Sequence, residues 1–233
     1  MDLVKYWKSG KRLKKWSRMV KNCEADIMDI ANYLEEDVKE YTPSNPKMIL
    51  RPFTLTSPED VKVVIVGQDP YYTEGTADGL CFSMAGQTPV NSLLNIFKAV
   101  KHDYPEEFIM PSNGSLRSWA VQGVLLINKS FTTKLGEANH HPYIYMGIIS
   151  EIIAILTERD KKIIWLLWGA FAQELSSEIG QKGVIFKACH PNPRNVQKGG
   201  IHPFINSGHF KLTNQELEKQ GKIPINWLSV CES

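Results

Sequence analysis

Three polar side chains that handle protons and hydrogen bonds follow predicted strands of this chain. Asp69, Asn128 and His190 each come within four residues of the end of a short apolar run. A carboxylate accepts protons, an amide both donates and accepts hydrogen bonds, and an imidazole titrates near neutral pH. If the strands are parallel, these groups meet in one cleft that is equipped for acid–base and hydrogen-bonding chemistry.

Four apolar runs rich in β-branched residues predict the strands that position these groups. The runs are 61–66, 124–127, 163–167 and 184–186, and helical patterns lie near 92–101, 115–122, 144–157 and 170–179. Strands that alternate with helices form crossover units, and the carboxyl ends of their parallel strands share one edge, where ligands bind. We therefore expect an α/β fold with a single domain, whose central, mainly parallel four-stranded sheet is flanked by helices on both faces.

The chain of 233 residues is 42% hydrophobic and 22% charged, which is ordinary for a globular protein and excludes wholesale disorder. Its net charge of +2 excludes a generally polycationic nucleic-acid coat. Residues 1–22 hold eight basic side chains and one acidic one, so we predict a basic amino-terminal segment (1–22) before a single domain (23–233). We interpret the segment as a solvated helix face, with contact to phosphates or an anionic surface as the alternative.

The spacing of the cysteines and the length of the apolar runs indicate whether a metal site or a membrane helix is expected. Cys23, Cys81, Cys189 and Cys231 lie far apart without a C-x-x-C pair, which is typical of reduced thiols in an intracellular protein, nuclear or cytoplasmic according to the host. We expect no metal and no cofactor. No apolar run approaches the roughly 20 residues of a membrane helix, so no membrane contact is expected. Four prolines between residues 42 and 58 predict an extended connection.

Six short motifs follow one another in an unbroken order between about residues 52 and 227. They lie at 67–71, 79–83, 123–128, 166–169, 190–193 and 224–227. In this combination they resemble the motifs of the family 1 uracil-DNA glycosylases, and the unusual loops suit a divergent, viral member. The resemblance implies a monofunctional enzyme that flips deoxyuridine out of DNA, hydrolyses its N-glycosidic bond and leaves an abasic site for base excision repair.

The resemblance also implies roles for individual residues. Asp69 orients the attacking water and stabilises the cationic sugar, and His190 donates as a neutral imidazole to the departing uracil anion. Asn128 recognises the uracil edge, Phe82 stacks on the flipped base, and Tyr71 fills the space that the methyl group of thymine needs. Substrate contact is expected from Gln68 as well.

Contact with DNA is implied for a further set of residues. They are Ser92, Gly169, Ala170, Pro191, Asn192, Pro193 and Arg194. The expected partners are single- and double-stranded DNA that contains uracil, and a protein inhibitor that mimics DNA; the enzyme itself is expected to be a monomer.

The chain departs from the family pattern at three positions. Tyr72 stands where the family usually has His, Ala170 where it has Ser, and Arg194 where it has the Leu that fills the gap left by the flipped base. Arg194 could fill this gap through its planar guanidinium, or Val196 or Ile201 of the lengthened loop could do so.

Alternatives remain open at this point. Taken alone, Asp69 and Asn128 could build turns, Tyr71 and Phe82 could be core aromatics, and His190 could be a hydrogen-bonded loop residue. The three departures motivate a second function, a DNA-binding replication-accessory module with weak or no catalysis. A nucleotide-binding enzyme unrelated to repair is disfavoured because no G-x-G-x-x-G motif follows any strand.

Overall fold

Four buried apolar runs form a parallel sheet at the centre of the chain. The computed structural model describes residues 7, 11–36, 40–84, 86–141, 143–196 and 203–232. Within them the strands are β1 (Tyr41–Thr42), β2 (Val63–Gly67), β3 (Val124–Asn128), β4 (Thr133–Lys134), β5 (Ile163–Trp168) and β6 (Gly183–Ala188). The central sheet has the order β3-β2-β5-β6 and all its neighbours are parallel, which confirms the predicted architecture.

The helices of the described residues connect these strands and cover both faces of the sheet. They are α1 (Ser17–Asn22), α2 (Glu24–Glu36), α3 (Pro46–Ile49), α4 (Arg51–Leu55), α5 (Asn91–Asp103), α6 (Arg117–Ala120), α7 (Met146–Thr157), α8 (Ala170–Gln173), α9 (Ser176–Ile179), α10 (Pro193–Val196) and α11 (His209–Lys219). Short 3-10 helices span Lys11–Trp16, Gly180–Lys182 and Trp227–Glu232. None of these helices is both long and apolar enough to span a bilayer.

Alternate residues of β2 pack into two different hydrophobic clusters. Val64 and Val66 join the cluster that includes residues of α1, α2 and α7, whereas Val63 and Ile65 join the cluster of α5 and α11. Successive side chains of a strand point to opposite faces, so a strand covered on both sides needs apolar residues at every position. This explains why the central strands appear in the sequence as continuous apolar runs.

Local details differ from the sequence prediction in three places. The proline-rich connection contains α3 and α4, because Pro46 and Pro52 lie in the first helical turn, where the missing N–H is not needed. The predicted helix 170–179 is divided into α8 and α9, and the Ser176 hydroxyl donates to the Gln173 carbonyl at 2.6 Å where they meet. The antiparallel pair β1 and β4 was not predicted, since two-residue strands show no periodicity.

The amino-terminal segment packs against the domain. Leu13, Trp16 and Met19 are buried in the cluster that covers one face of the sheet, while Lys14 and Lys15 on the other side of the segment are exposed. In the described part of the segment, Lys14, Lys15, Arg18 and Lys21 thus form an exposed face. The domain boundary at residue 22 remains a prediction. Residues on both sides of it pack in the same hydrophobic cluster.

Trp16 gives a test of this packing. Its ring lies edge-on to Phe53 at 5.3 Å, and its indole N–H donates to the Thr56 carbonyl at 3.0 Å. We expect Trp16→Ala to lower the free energy of unfolding by about 3–5 kcal/mol, because it leaves a large cavity and an unsatisfied carbonyl. Urea denaturation measures the change, with the exposed neighbour Lys15→Ala as the control. Equal stability of the two variants would show that the segment is peripheral.

Candidate functional site

The carboxyl ends of the central strands bring the predicted polar residues to one edge of the sheet. Gly67 and Asn128 are register partners at the ends of β2 and β3. Beyond these partners, two more main-chain hydrogen bonds join the loops that follow the strands. The N–H of Lys129 donates to the Gly67 carbonyl at 2.9 Å, and the N–H of Ser130 donates to the Gln68 carbonyl at 3.0 Å. The two loops are therefore held in a fixed relation to each other.

A cavity of about 180 Å³ opens at this edge. Its lining is formed by Gln68, Asp69, Pro70, Tyr71, Tyr72, Phe82, Ser92, Ala138 and His190. Both residues that were predicted to be catalytic line it, together with three of the predicted substrate-binding residues and one predicted DNA contact. The acid and the imidazole, which are far apart in sequence, thus share one small concave space.

Asp69 is held in place by a main-chain donor from a distant loop. The N–H of Asn139, a residue with a left-handed φ of 59°, donates to Oδ2 of Asp69. Burial raises the pKa of the Asp69 carboxyl, and the hydrogen bond from Asn139 opposes this rise because it favours the charged form. Asn139 was missed by the sequence analysis, since nothing in the motif at 67–71 indicates a partner 70 residues away.

The protonation of His190 is determined by a main-chain hydrogen bond. The N–H of Asn192 donates to Nδ1 of His190 at 3.1 Å, so a neutral ring carries its proton on Nε2. Burial lowers the pKa of His190, because it disfavours the charged imidazolium. At neutral pH the ring is therefore a neutral donor.

Close backbone packing places His190 at the cavity. Gly169 follows β5 with φ of 90°, and a Cβ at this position would lie 2.9 Å from Cβ of His190. No side chain fits there, and the positive φ favours glycine in any case. The glycine at 169 thus allows the loop that carries His190 to pack closely against the end of β5.

Two aromatic residues form one wall of the cavity. The Tyr71 hydroxyl donates to the Phe82 carbonyl at 3.2 Å, and Phe82 has a φ of 62°, which is rare for a bulky residue. The Phe82 ring centroid lies 5.9 Å from that of His190 and 5.9 Å from that of Trp168. The strained backbone conformation turns this aromatic side chain toward the imidazole, where a planar ligand could stack.

Asn128 contributes a buried amide with an unused oxygen. The residue is 6% exposed, and its Oδ1 has no hydrogen-bond partner among the described residues. A Cβ on Gly67 would lie 2.2 Å from this oxygen, so the amide packs directly against the glycine. A buried polar atom without a partner is unfavourable by about 1–3 kcal/mol, and a ligand with a matching donor would remove this penalty.

The residues predicted to contact DNA surround the cavity. Ser92 lies in its wall, and the Pro191 carbonyl accepts a hydrogen bond from the Asn95 side chain at 2.8 Å. Asn192 accepts at 2.8 Å from the Asn195 N–H and so caps α10, which begins at Pro193. Asn95, which fixes this loop from α5, was not identified from the sequence.

Three residues are candidates for filling the gap that a flipped base leaves in the DNA. Arg194 is exposed on α10, whereas Val196 is half-buried against the hydrophobic cluster of α5 and α11. Ile201 lies outside the described residues. Ala170 and Tyr72, the other departures from the family pattern, are both exposed, and Tyr72 is 47% exposed at the cavity wall.

The described residues contain no group of three or more His, Cys, Asp or Glu side chains that could hold a metal ion. The adjacent histidines have separate partners: His140 lies 3.0 Å from Glu137, and His141 lies 3.0 Å from the Thr132 hydroxyl. They belong to the loop before α7.

Known proteins match this chain over most of its length. The uracil DNA glycosylase superfamily matches residues 53–218. The chain is 42% identical to the uracil-DNA glycosylase of Aeromonas hydrophila, with 79% of this chain and 82% of the relative covered. The identity to the Pseudomonas aeruginosa enzyme is 40%, with 81% and 80% covered.

Solved structures agree with these matches. The crystal structure of mimivirus uracil-DNA glycosylase gives a TM-score of 0.82 at 28% identity, with 91% of this chain and 86% of that chain covered. Two variants of the mimivirus protein, at 27% and 28% identity, were crystallised in complex with UGI.

The tautomer and pKa of His190 can be measured directly. We expect its ring resonances to titrate with a midpoint below the ordinary histidine pKa, because burial disfavours the imidazolium. At pH 7 the nitrogen shifts should show a proton on Nε2 and none on Nδ1. NMR of the ligand-free protein gives both values, and loss of the signal in His190→Gln assigns it. A midpoint above the ordinary value, or a proton on Nδ1, would contradict the geometry.

Proposed function

The chain belongs to the uracil DNA glycosylase superfamily and acts as a uracil-DNA glycosylase, and from this premise we propose how its residues carry out the reaction. The enzyme hydrolyses the N-glycosidic bond of deoxyuridine in DNA and so serves base excision repair. The observation that carries the proposed mechanism is the shared cavity of Asp69 and His190, with the imidazole proton on the free nitrogen.

We propose that His190 stabilises the leaving group. When the N-glycosidic bond breaks, its electron pair stays with uracil, and the negative charge is spread onto the base carbonyl oxygen. A neutral Nε2–H that points at this oxygen stabilises the charge without a change of its own protonation state. The hydrogen bond from Asn192 to Nδ1 supports this role, because it fixes the tautomer before substrate binds.

Asp69 acts on the sugar, from which uracil departs. Loss of uracil leaves positive charge on the sugar, which a nearby carboxylate stabilises. The same carboxylate orients the water that attacks the sugar carbon and accepts the proton that this water releases. Support comes from its position in the cavity wall and from the Asn139 N–H, which holds Oδ2 of the carboxylate in place.

Selection of uracil is assigned to three side chains. The Asn128 amide can accept from N3–H of uracil and donate to its 4-carbonyl, and its unpartnered buried Oδ1 supports this assignment. Cytosine presents the opposite pattern and would leave the amide unpaired. Phe82 stacks on the base, and Tyr71, whose hydroxyl is tied to the Phe82 carbonyl, blocks a 5-methyl group. Gln68 lines the cavity beside Tyr71 and Phe82.

Contacts to the DNA backbone are proposed for the loops around the cavity. Ser92 offers a hydroxyl, and the loops at 169–170 and 191–194 offer main-chain and side-chain groups at the same edge. Since these groups all come from one chain, we propose that the enzyme is a monomer. We propose that it acts on uracil in both single- and double-stranded DNA, and that it does so in the nucleus or cytoplasm of its host. A DNA-mimicking inhibitor would occupy the same edge.

The proposed roles of Asp69 can be tested by substitution. We expect Asp69→Asn to lower the rate of uracil release by about 10²–10⁴, since the amide neither balances the sugar charge nor accepts the water proton. Release by the parent enzyme should persist in EDTA. It should decline on acidification from a higher pH than for an ordinary aspartate, because the raised pKa makes Asp69 protonate earlier.

The assay uses a single-uracil duplex and a single strand, and counts abasic sites by alkaline cleavage. His190→Gln is a second variant, expected to lose about 10²–10³ in rate. Equal, negligible release by parent and Asp69→Asn, with DNA still bound, would instead indicate an accessory module without catalysis.

The proposed role of Tyr71 can also be tested by substitution. We expect Tyr71→Ala to release thymine from a T·A duplex at a measurable rate, because the space for the methyl group is opened. Tyr143→Ala, a tyrosine that is 75% exposed and absent from the cavity wall, is the matched control and should release none. Thymine discrimination that is unchanged in Tyr71→Ala would assign the exclusion to another residue.

A further inference from the structure

A second cavity, of about 400 Å³, lies at the opposite edge of the sheet. It is lined by residues just before the strands, among them Lys62 before β2, Gly123 before β3 and Arg159 before β5, and by Lys222 after α11. The five residues of β2 separate the two edges by roughly 16 Å at about 3.3 Å per residue. This cavity is therefore distinct from the site of uracil release.

Three half-buried cations line this cavity, and none of them forms an ion pair within the described part of the chain. Their hydrogen bonds go to main-chain carbonyls instead. Lys62 Nζ donates to the Ile223 carbonyl at 2.9 Å and Lys222 Nζ to the Lys162 carbonyl at 3.1 Å. Arg159 donates to the carbonyls at positions 58, 59 and 61. Cations that are partly removed from water are usually paired with an anion.

The positive charges act on one another. The pKa of Lys222 is lowered to about 8, first by burial and then by Arg159, Lys161 and Lys62. Burial also lowers the pKa of Lys62. The effects of Arg159, Lys161 and Lys62 on Lys222 have the sign expected where positive charges lie near one another.

Carboxylates near the cavity compensate this charge only in part. Asp60 lines the cavity, accepts from the Ser57 hydroxyl and lies 3.8 Å from the exposed Lys15. Glu59 lines the cavity, and Glu216 raises the pKa of Lys222, but less than the three cations lower it. The cavity therefore has a surplus of positive charge.

We propose that this cavity binds a phosphate group. An ammonium has three N–H donors, and Lys62 and Lys222 each use one on a carbonyl, which leaves two donors on each for a ligand. A phosphate dianion matches this arrangement, because its oxygens accept several charge-assisted hydrogen bonds and its charge offsets two cations. The phosphate belongs either to a small phosphorylated metabolite or to the end of a nucleic-acid strand.

Titration with inorganic pyrophosphate tests the site. Calorimetry at constant ionic strength should show saturable binding by the parent enzyme. Binding should weaken by about tenfold or more in Lys62→Gln/Lys222→Gln, which removes two charged donors. A matched double variant of exposed lysines on α5, Lys98→Gln/Lys101→Gln, should bind as the parent does. Uracil release should be unchanged in both, because neither pair lies at the catalytic edge.

The proposal would be overturned if the parent and Lys62→Gln/Lys222→Gln bound pyrophosphate with equal affinity. The cations would then have only a structural role, as hydrogen-bond donors to main-chain carbonyls. If that variant does not fold, Glu59→Gln replaces it, since removal of a negative charge from the cavity should tighten binding. Unchanged affinity in Glu59→Gln would likewise contradict the site.

Two competitors then identify the source of the phosphate. A nucleoside triphosphate that displaces pyrophosphate supports a small metabolite, whereas a uracil-free oligonucleotide that competes only when 5′-phosphorylated supports a strand end. Loss of the competition in the double variant shows that the competitor acts at this cavity.

Discussion

The close approach of two strand ends to their neighbouring loops is the constraint on which the catalytic edge depends. The amide oxygen of Asn128 lies where a side chain on Gly67 would begin, and Cβ of His190 lies against the backbone of Gly169. A methyl group at either glycine would collide with a residue that is proposed to act on the substrate. At these two glycines the packing therefore leaves no room for a side chain of any volume.

Within the narrow space that results, one physical cause has opposite effects on two groups. Burial lowers the pKa of His190 and raises that of Asp69, because it disfavours an imidazolium in one case and a carboxylate in the other. The first effect keeps the imidazole neutral at physiological pH, as its proposed role as a donor requires. The second would eventually neutralise the carboxylate, and the Asn139 N–H opposes this. Main-chain hydrogen bonds to the carboxylate thus favour a charged acid beside a neutral base in one small cavity.

The sequence was sufficient to predict the central sheet and the residues at its edge, because local patterns encode both. Doubly covered strands need unbroken apolar runs, and residues just after such runs meet at one edge by topology. What the sequence could not indicate were contacts between distant segments. Asn139 on Asp69, Asn95 on the Pro191 carbonyl and Trp16 in the core all depend on tertiary packing that leaves no local signal. Two-residue strands were missed for the related reason that they have no period.

The same topology gives the two edges of the sheet different electrostatic characters. At the carboxyl edge, the cavity wall contains a neutral imidazole and an acid, and further ligand contacts are proposed for the Asn128 amide, main-chain groups and Arg194. At the amino edge, Lys62, Arg159 and Lys222 hold loops by donating to carbonyls, and so retain full charges near one another. A fold can tolerate such a cluster because water and dissolved anions screen it, and screening is weakest where the cluster lines a cavity. The cationic side chains that hold these loops by hydrogen bonds are therefore the same side chains that are proposed to bind a phosphate in the cavity.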